Sequence, residues 1–150
     1  IFEPDAVPEH WINVFSGVDE NGEQVVLAHS NNDQLAKIAI FDALINNADR
    51  KAGHLITDKD SKVWAVDHGV TFNVEPKLRS VLWGWMNQSI PNDLVDAITV
   101  VMPKFSESEL VAVLSVQEID QLLVRATDLV NTKMFPQPNP NWPAVPWPIF

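Results

Sequence analysis

Six of the chain's eleven prolines fall between Phe135 and Phe150, and they dictate what that end of the molecule can be. Each proline fixes φ and removes a backbone donor, so this segment can be neither helix nor inner strand and must run extended. It nevertheless carries Trp142, Trp147, Ile149 and Phe150, an apolar load unsuited to a solvated tail. The expectation is a strap lying against the helices, with Trp142 and Trp147 substantially buried. Two more prolines bracket a helix upstream. Pro91 opens it, Leu94, Ala97, Ile98 and Val101 follow at helical spacing, and Pro103 stops it. Ser106 with Glu109 reads as a capping box before Leu110–Leu114. Ser115 with Glu118 reads as a second, before Ile119, Leu122, Leu123, Ala126 and Val130.

The first half alternates. Trp11–Phe15 and Gln24–Ala28 read as strands joined across Asp19-Glu20-Asn21-Gly22, where Asn-Gly is a strong turn signal. Ser30-Asn31-Asn32-Asp33 supplies capping side chains for a helix carrying Leu35, Ile38, Phe41, Asp42 and Ile45, which ends near Asn46-Asn47. A second hairpin follows: Leu55-Ile56-Thr57, a turn over Asp58–Ser61, and Lys62–Val66, with Trp64 and Val66 expected on opposite faces. No internal repeat is visible.

The charge balance excludes some functions. Twenty acids against ten bases give a net charge of −10, which argues against nucleic-acid binding, since that needs clustered Lys and Arg. No stretch approaches the ~20 apolar residues of a membrane span. With no cysteine there is neither a disulfide framework nor a thiolate metal site, compatible with a cytoplasmic location. A first residue that is Ile rather than Met suggests an upstream segment.

The chemistry-bearing residues cluster around the second hairpin. If residues 58–61 form its turn, Thr57 faces Lys62 and Leu55 faces Trp64, and Ala52 lies opposite Asp67 at a spacing of ~5 Å. Asp49 lies within ~10 Å of chain from that point. A loop that curls back therefore brings Asp49 and Asp67 around one phosphate group. Magnesium takes hard oxygen ligands, usually one or two carboxylates plus substrate phosphates, which suits Asp67 at a strand end before Gly69. Asp49 is placed to orient an attacking hydroxyl, Lys51 to neutralise a phosphate, and His54 to ligate the ion or hydrogen-bond beside it. Asp42, on an apolar helix stripe, is expected to accept hydrogen bonds that hold the loop's shape, with Asn47 alongside. Lys77 and Arg79 are candidates for contact with an acidic substrate or phosphate, or form a solvated basic pair. Asp58 and Asp60 read as turn residues, Trp83 and Trp85 as core. His68 is expected to pack locally, and His10 and His29 have no evident partner.

The stretch Asn46-Asn47-Ala48-Asp49-Arg50-Lys51-Ala52-Gly53-His54, with Asp67-His68-Gly69 after the hairpin, resembles the atypical kinases of the phosphatidylinositol 3-/4-kinase and HipA-like type. Their catalytic loop reads Asp-Arg-His-x-x-Asn or Asn-x-Asp-x-His-x-x-Asn, and Asp-Phe-Gly follows the hairpin. With Pro76-Lys77-Leu78-Arg79-Ser80-Val81-Leu82-Trp83 included, the chain looks more closely like a bacterial family labelled phosphatidylinositol-kinase-like, from about Asp33 to the final Pro-Trp-Pro. The resemblance implies that Asp49 is the catalytic-loop aspartate and Asp67 the metal-binding one. His54 departs from the pattern by standing where Asn normally holds a second metal, and Lys51 replaces the loop His.

The expected fold is α+β and mainly helical, a protein-kinase-like C-terminal lobe with a catalytic β-hairpin. Residues 1–29 form a hinge-side hairpin segment, 30–134 the lobe, and 135–150 a tail packed on it. No G-x-G-x-x-G loop or strand lysine is present, so the N-terminal lobe that clamps ATP is expected outside this chain. The expected activity is Mg-ATP γ-phosphoryl transfer to an unidentified hydroxyl by the longer protein, with this piece alone inactive. Two other classes stay open: a non-catalytic pseudokinase that binds nucleotide, and a metal-dependent hydrolase using Asp49, His54, Asp67 and His68, whose imidazoles suit a transition metal.

Overall fold

The computed structural model describes all 150 residues, Ile1–Phe150. Its chain forms two small antiparallel hairpins and three helices, a mixed α+β fold with helix predominant. The first hairpin pairs β1 (Trp11–Val18) with β2 (Gln24–Ser30), and its register shifts between Asn13 and Phe15. Helix α1 (Asp33–Ile45) follows, then β3 (Leu55–Thr57) and β4 (Val63–Ala65). After a long irregular segment come α2 (Asn92–Val101), two 3-10 turns and α3 (Val116–Thr132). No helix is long and apolar enough to cross a membrane.

Both hairpins use one turn chemistry. Asp19 Oδ1 accepts the backbone N–H groups of Asn21 and Glu23, and Asp58 Oδ1 those of Asp60 and Lys62. In each, the fourth residue takes a positive φ: Gly22 at 85° and Ser61 at 61°. An aspartate that collects two donors makes the turn independently of the strands. This corrects the register expected for the second hairpin. Asp58 N–H donates to the Lys62 carbonyl at 3.0 Å, so the loop is one residue longer, and Thr57 faces Val63 while Leu55 faces Ala65. Ala52 is therefore not opposite Asp67. Trp64 and Val66 share the exposed face, because residues two apart on a strand point the same way.

Helix α1 is the central element. Asn32 caps its start by accepting the Gln34 N–H at 2.7 Å, and Leu35, Ala36, Ile40, Ala43 and Ile45 are buried along it. Helix α3 packs on both α1 and α2, with Leu122 and Ala126 nearly inaccessible. The Ser115–Glu118 capping box forms with both reciprocal bonds. The Ser106–Glu109 box does not. Ser108 caps instead, accepting the Leu110 N–H, and the residues around it coil into 3-10 turns rather than a helix over 110–114.

The proline strap crosses the 76–85 segment. Its Ala144 carbonyl accepts from Ser80 N–H and Trp83 Nε1, and Asn139 donates to the Pro76 carbonyl. Phe135, Pro146 and Ile149 are the buried anchors, Trp142 is half-buried, and Trp147 is 83% exposed. The expectation of a buried Trp147 is therefore wrong. Pro146 and Ile149 take the inward positions, and Trp147 between them faces outward. Ile149→Ala should cost about 2–5 kcal/mol in urea unfolding, while Trp147→Ala should stay within about 0.5 kcal/mol. Equal effects would show that Ile149 does not anchor the strap.

His29 belongs to β2 and is buried against Trp85, their ring centroids 4.3 Å apart. Its Nδ1 lies 3.0 Å from the Ser30 carbonyl, and its Nε2 accepts the Gly84 N–H at 3.1 Å, an arrangement that needs the neutral ring. A Cβ at Gly84 would lie 2.6 Å from that Nε2, so only glycine allows the approach. Burial pushes the His29 pKa below its ordinary 6.5, against a smaller opposing effect from the Ser30 carbonyl. The stability this neutral ring provides is complete above the unfolded value. It declines as pH falls from about 6.5 toward the lowered folded value. Urea unfolding of the native chain and of His29→Gln between pH 8 and 5 should show the native advantage shrinking with acidity; a constant difference would mean the ring is not held neutral.

Candidate functional site

The loop after α1 is built on charges that water never reaches. Asp42 and Arg50 are each 0% exposed and form a bidentate pair: Nε to Oδ2 at 2.7 Å and Nη2 to Oδ1 at 2.9 Å. Asn47 Nδ2 also donates to Asp42 Oδ1 at 2.9 Å, while its own Oδ1 accepts the Asp49 N–H at 3.0 Å. The third guanidinium nitrogen, Nη1, donates to the Val66 carbonyl at 2.7 Å, with the His54 carbonyl at 3.5 Å. Arg50 thus ties the end of α1 to both strands of the second hairpin at their open end. Asp42 and Asn47 hold the loop's shape through these bonds. Arg50, which does most of this, was not singled out from the sequence.

Asn46 turns the chain out of α1 in the left-handed region, φ 53°. Glycine usually fills that position, but here the side chain is needed too. Its Nδ2 donates to the Asn73 and Glu75 carbonyls at 2.8 and 2.7 Å, and its Oδ1 accepts the Lys77 N–H. Residues 47–50 then run beside 79–81: Arg79 N–H donates to the Asn47 carbonyl, Arg50 N–H to the Arg79 carbonyl, and Val81 N–H to the Arg50 carbonyl. At its other edge, Ala52 N–H donates to the Ile149 carbonyl of the strap. The loop is held on every side except the one that carries Asp49 and Lys51.

Those two side chains are 27% and 20% exposed, with Lys51 Nζ 3.5 Å from Asp49 Oδ2. Across the hairpin opening, His54 Nε2 lies 3.5 Å from Asp67 Oδ2. Asp67 is 57% exposed and its backbone is left-handed at φ 56°, its Oδ1 accepting the Gly69 N–H. His54 Nδ1 is buried without a partner. The candidates therefore fall into two pairs, Asp49–Lys51 and His54–Asp67. The two are linked through Arg50, which neighbours Asp49 in sequence and grips the carbonyl of Val66, the neighbour of Asp67.

His68 points elsewhere, packing edge-on against Phe41 at 5.6 Å. No group of three or more His, Asp or Glu side chains converges anywhere to hold an ion, so the four residues of the hydrolase arrangement do not assemble as a ligand set. Lys77 pairs with Glu75 at 2.9 Å and lies over the Trp142 ring; Arg79 Nε donates to the Ala48 carbonyl at 2.6 Å, beside the same ring. Both cations engage the protein itself. Between the two hairpins and the start of α1 lies a cavity of about 390 Å³, its mostly apolar walls including Leu27, Leu35, Ala52, Leu55, Val63 and Leu82.

Asp42→Asn should cost about 3–5 kcal/mol in urea unfolding, because it leaves a buried guanidinium without its counter-charge. Replacing Asp42 and Arg50 together with apolar residues should cost less than the single change. A loss below 1 kcal/mol for Asp42→Asn would mean that the pair does not hold the loop.

The chain is similar to a Mycobacterium tuberculosis protein, Rv2133c, at 37% identity over 154 aligned residues. The alignment covers 97% of this chain and 55% of that protein, so the chain spans about half the length of the relative it matches. No protein-family model matches the chain, and no solved structure matches it.

Proposed function

We propose that this chain is the C-terminal lobe of an atypical kinase-like phosphotransferase, which in a longer protein transfers the γ-phosphoryl group of Mg-ATP to a hydroxyl. The observation that carries this reading is the Arg50 bridge. One buried guanidinium fixes the loop bearing Asp49 and the strand end bearing Asp67, leaving both carboxylates accessible at the same end of one hairpin. Phosphoryl transfer depends on positioning and charge stabilisation, so a rigid frame beneath two carboxylates is what the chemistry requires. The donor set fits magnesium carried by a nucleotide, which asks the protein for only one or two carboxylates.

In this reading Asp67 meets the nucleotide-borne ion, Asp49 orients the acceptor hydroxyl and takes its proton, and Lys51 neutralises phosphate charge. The apolar cavity between the hairpins is the place for a base. Residues supplied by the rest of the longer protein complete the clamp on the phosphates. One observation favours a binding-only variant of the same reading: His54 stands against the Asp67 carboxylate and occupies part of its surroundings.

Calorimetric titration of ATP, with and without magnesium, into this chain and the longer protein tests the proposal. The longer protein should bind Mg-ATP much more tightly than the 150-residue piece, and Asp67→Asn should abolish the magnesium-dependent part. An indifferent Asp67→Asn protein would remove that residue from the site, and tight binding by the short chain would mean the cleft lies elsewhere. Loss of ATP γ-phosphate to an acceptor hydroxyl, sensitive to Asp49→Asn, separates transfer from binding alone.

A further inference from the structure

On the far side of the same loop, Arg125 reaches from α3 to the C-terminal end of α1, where its Nε donates to the Leu44 carbonyl at 2.8 Å. Carbonyls at a helix end lack partners and carry the negative end of the dipole, so a cation there is favourable. The rest of the guanidinium is poorly used. Nη1 approaches the Asn73 carbonyl only to 3.5 Å, Nη2 is buried without a partner, and no carboxylate pairs with the group. Burial lowers its pKa to about 10, which leaves it cationic at neutral pH.

Beside it opens a cavity of about 200 Å³, walled in part by Asn46, Arg125, Asp128, Gln137 and Asn139. The amides of Asn46 and Asn139 are committed to backbone groups, and Gln137 donates its Nε2 to Asn87. Asp128 forms no ion pair. One cation and one anion thus line the same small space without bonding to each other. A simple anion entering it would be repelled by Asp128, and a simple cation by Arg125. A ligand carrying both charges satisfies both walls. The volume, below the ~300 Å³ of ordinary ligand pockets, calls for a small one. We propose that this cavity binds a small zwitterion of the α-amino-acid class, its carboxylate on the Arg125 guanidinium and its ammonium on Asp128. The site is independent of the nucleotide reading, although Asn46 makes part of its wall and connects it to the loop.

Glycine and L-alanine, titrated against the ¹⁵N-labelled chain and followed by amide chemical shifts, test this directly. Acetate and methylammonium at equal ionic strength serve as single-charge controls. Both amino acids should give saturable shifts at residues 44–46, 73 and 128–129, with the controls about tenfold weaker, as loss of one ~1.4 kcal/mol contact implies. Asp128→Asn, an isosteric change on the exposed side of α3, should weaken amino-acid binding by a similar factor and, by removing the repulsion, strengthen acetate binding. Arg125→Lys should weaken both. No saturable shift, acetate binding as strong as glycine, or an Asp128→Asn chain that binds glycine unchanged would each overturn the assignment.

Discussion

Everything about the candidate site rests on a guanidinium that contacts no water. Burying an isolated charge is prohibitive, and even a buried pair can cost more in desolvation than it returns in attraction. Arg50 is tolerated because all three of its nitrogens donate, two of them to one carboxylate in the parallel geometry that a planar fork matches. Asp42 in turn accepts from both Arg50 and Asn47. A lysine would bring a point charge that cannot reach the Asp42 carboxylate and the Val66 carbonyl together, so the arrangement selects arginine by geometry rather than by charge.

The consequence is a loop whose shape is set before any ligand arrives. Main-chain bonds from 79–81 hold one flank, the strap's Ile149 holds another, and Asn46 pins 73–77 behind it. Ordering a loop of this kind costs about 1–2 kcal/mol per residue in backbone entropy. Here that cost is met during folding, so a reacting group presented by the loop would meet its substrate already positioned. The carboxylates left accessible, Asp49 and Asp67, are lightly engaged: Asp49 has Lys51 at 3.5 Å, and Asp67 has the His54 ring at 3.5 Å and the Gly69 N–H.

Much of this was legible in the residues. Helix α1, capped from within Ser30–Asp33 and ending near Asn46-Asn47, the Asn-Gly hairpin, and the Ser115–Glu118 box all follow from local rules, and the structure carries each of them, with Asn32 as the cap and Asn46 as the end. Asp42 announced itself as an acid on an apolar stripe. Arg50 did not, because an arginine beside an aspartate and a lysine in a polar loop looks solvated, and only tertiary contact shows otherwise. The register of the second hairpin was missed for a local reason. Asp58 accepts two backbone donors and Ser61 adopts the left-handed region without being glycine, which lengthens the loop by one residue. Trp147 and His29 failed for the opposite reason. Which side of a proline strap faces inward, and which histidine finds a glycine N–H 55 residues away, are set by packing alone.

The arginines show how the whole chain converges on one segment. There are three, Arg50, Arg79 and Arg125, in a protein of net charge −10. Arg50 donates its Nε to the carboxylate of Asp42, Arg125 to the carbonyl of Leu44, and Arg79 to the carbonyl of Ala48. All three acceptors lie within seven consecutive residues, where α1 ends and the loop begins. The end of a helix leaves its last carbonyls unpaired and negatively polarised, and a turn leading straight into a loop has no further helix to satisfy them. Arg125 supplies one missing donor, to the Leu44 carbonyl, while Arg50 and Arg79 fix the groups on either side of that end, the Asp42 side chain and the loop carbonyl of Ala48. An acidic protein thereby places every arginine it has around the junction of α1 and one loop, and the cation on that loop's open side is a lysine, Lys51, whose single mobile charge lies beside Asp49 and makes no part of the frame.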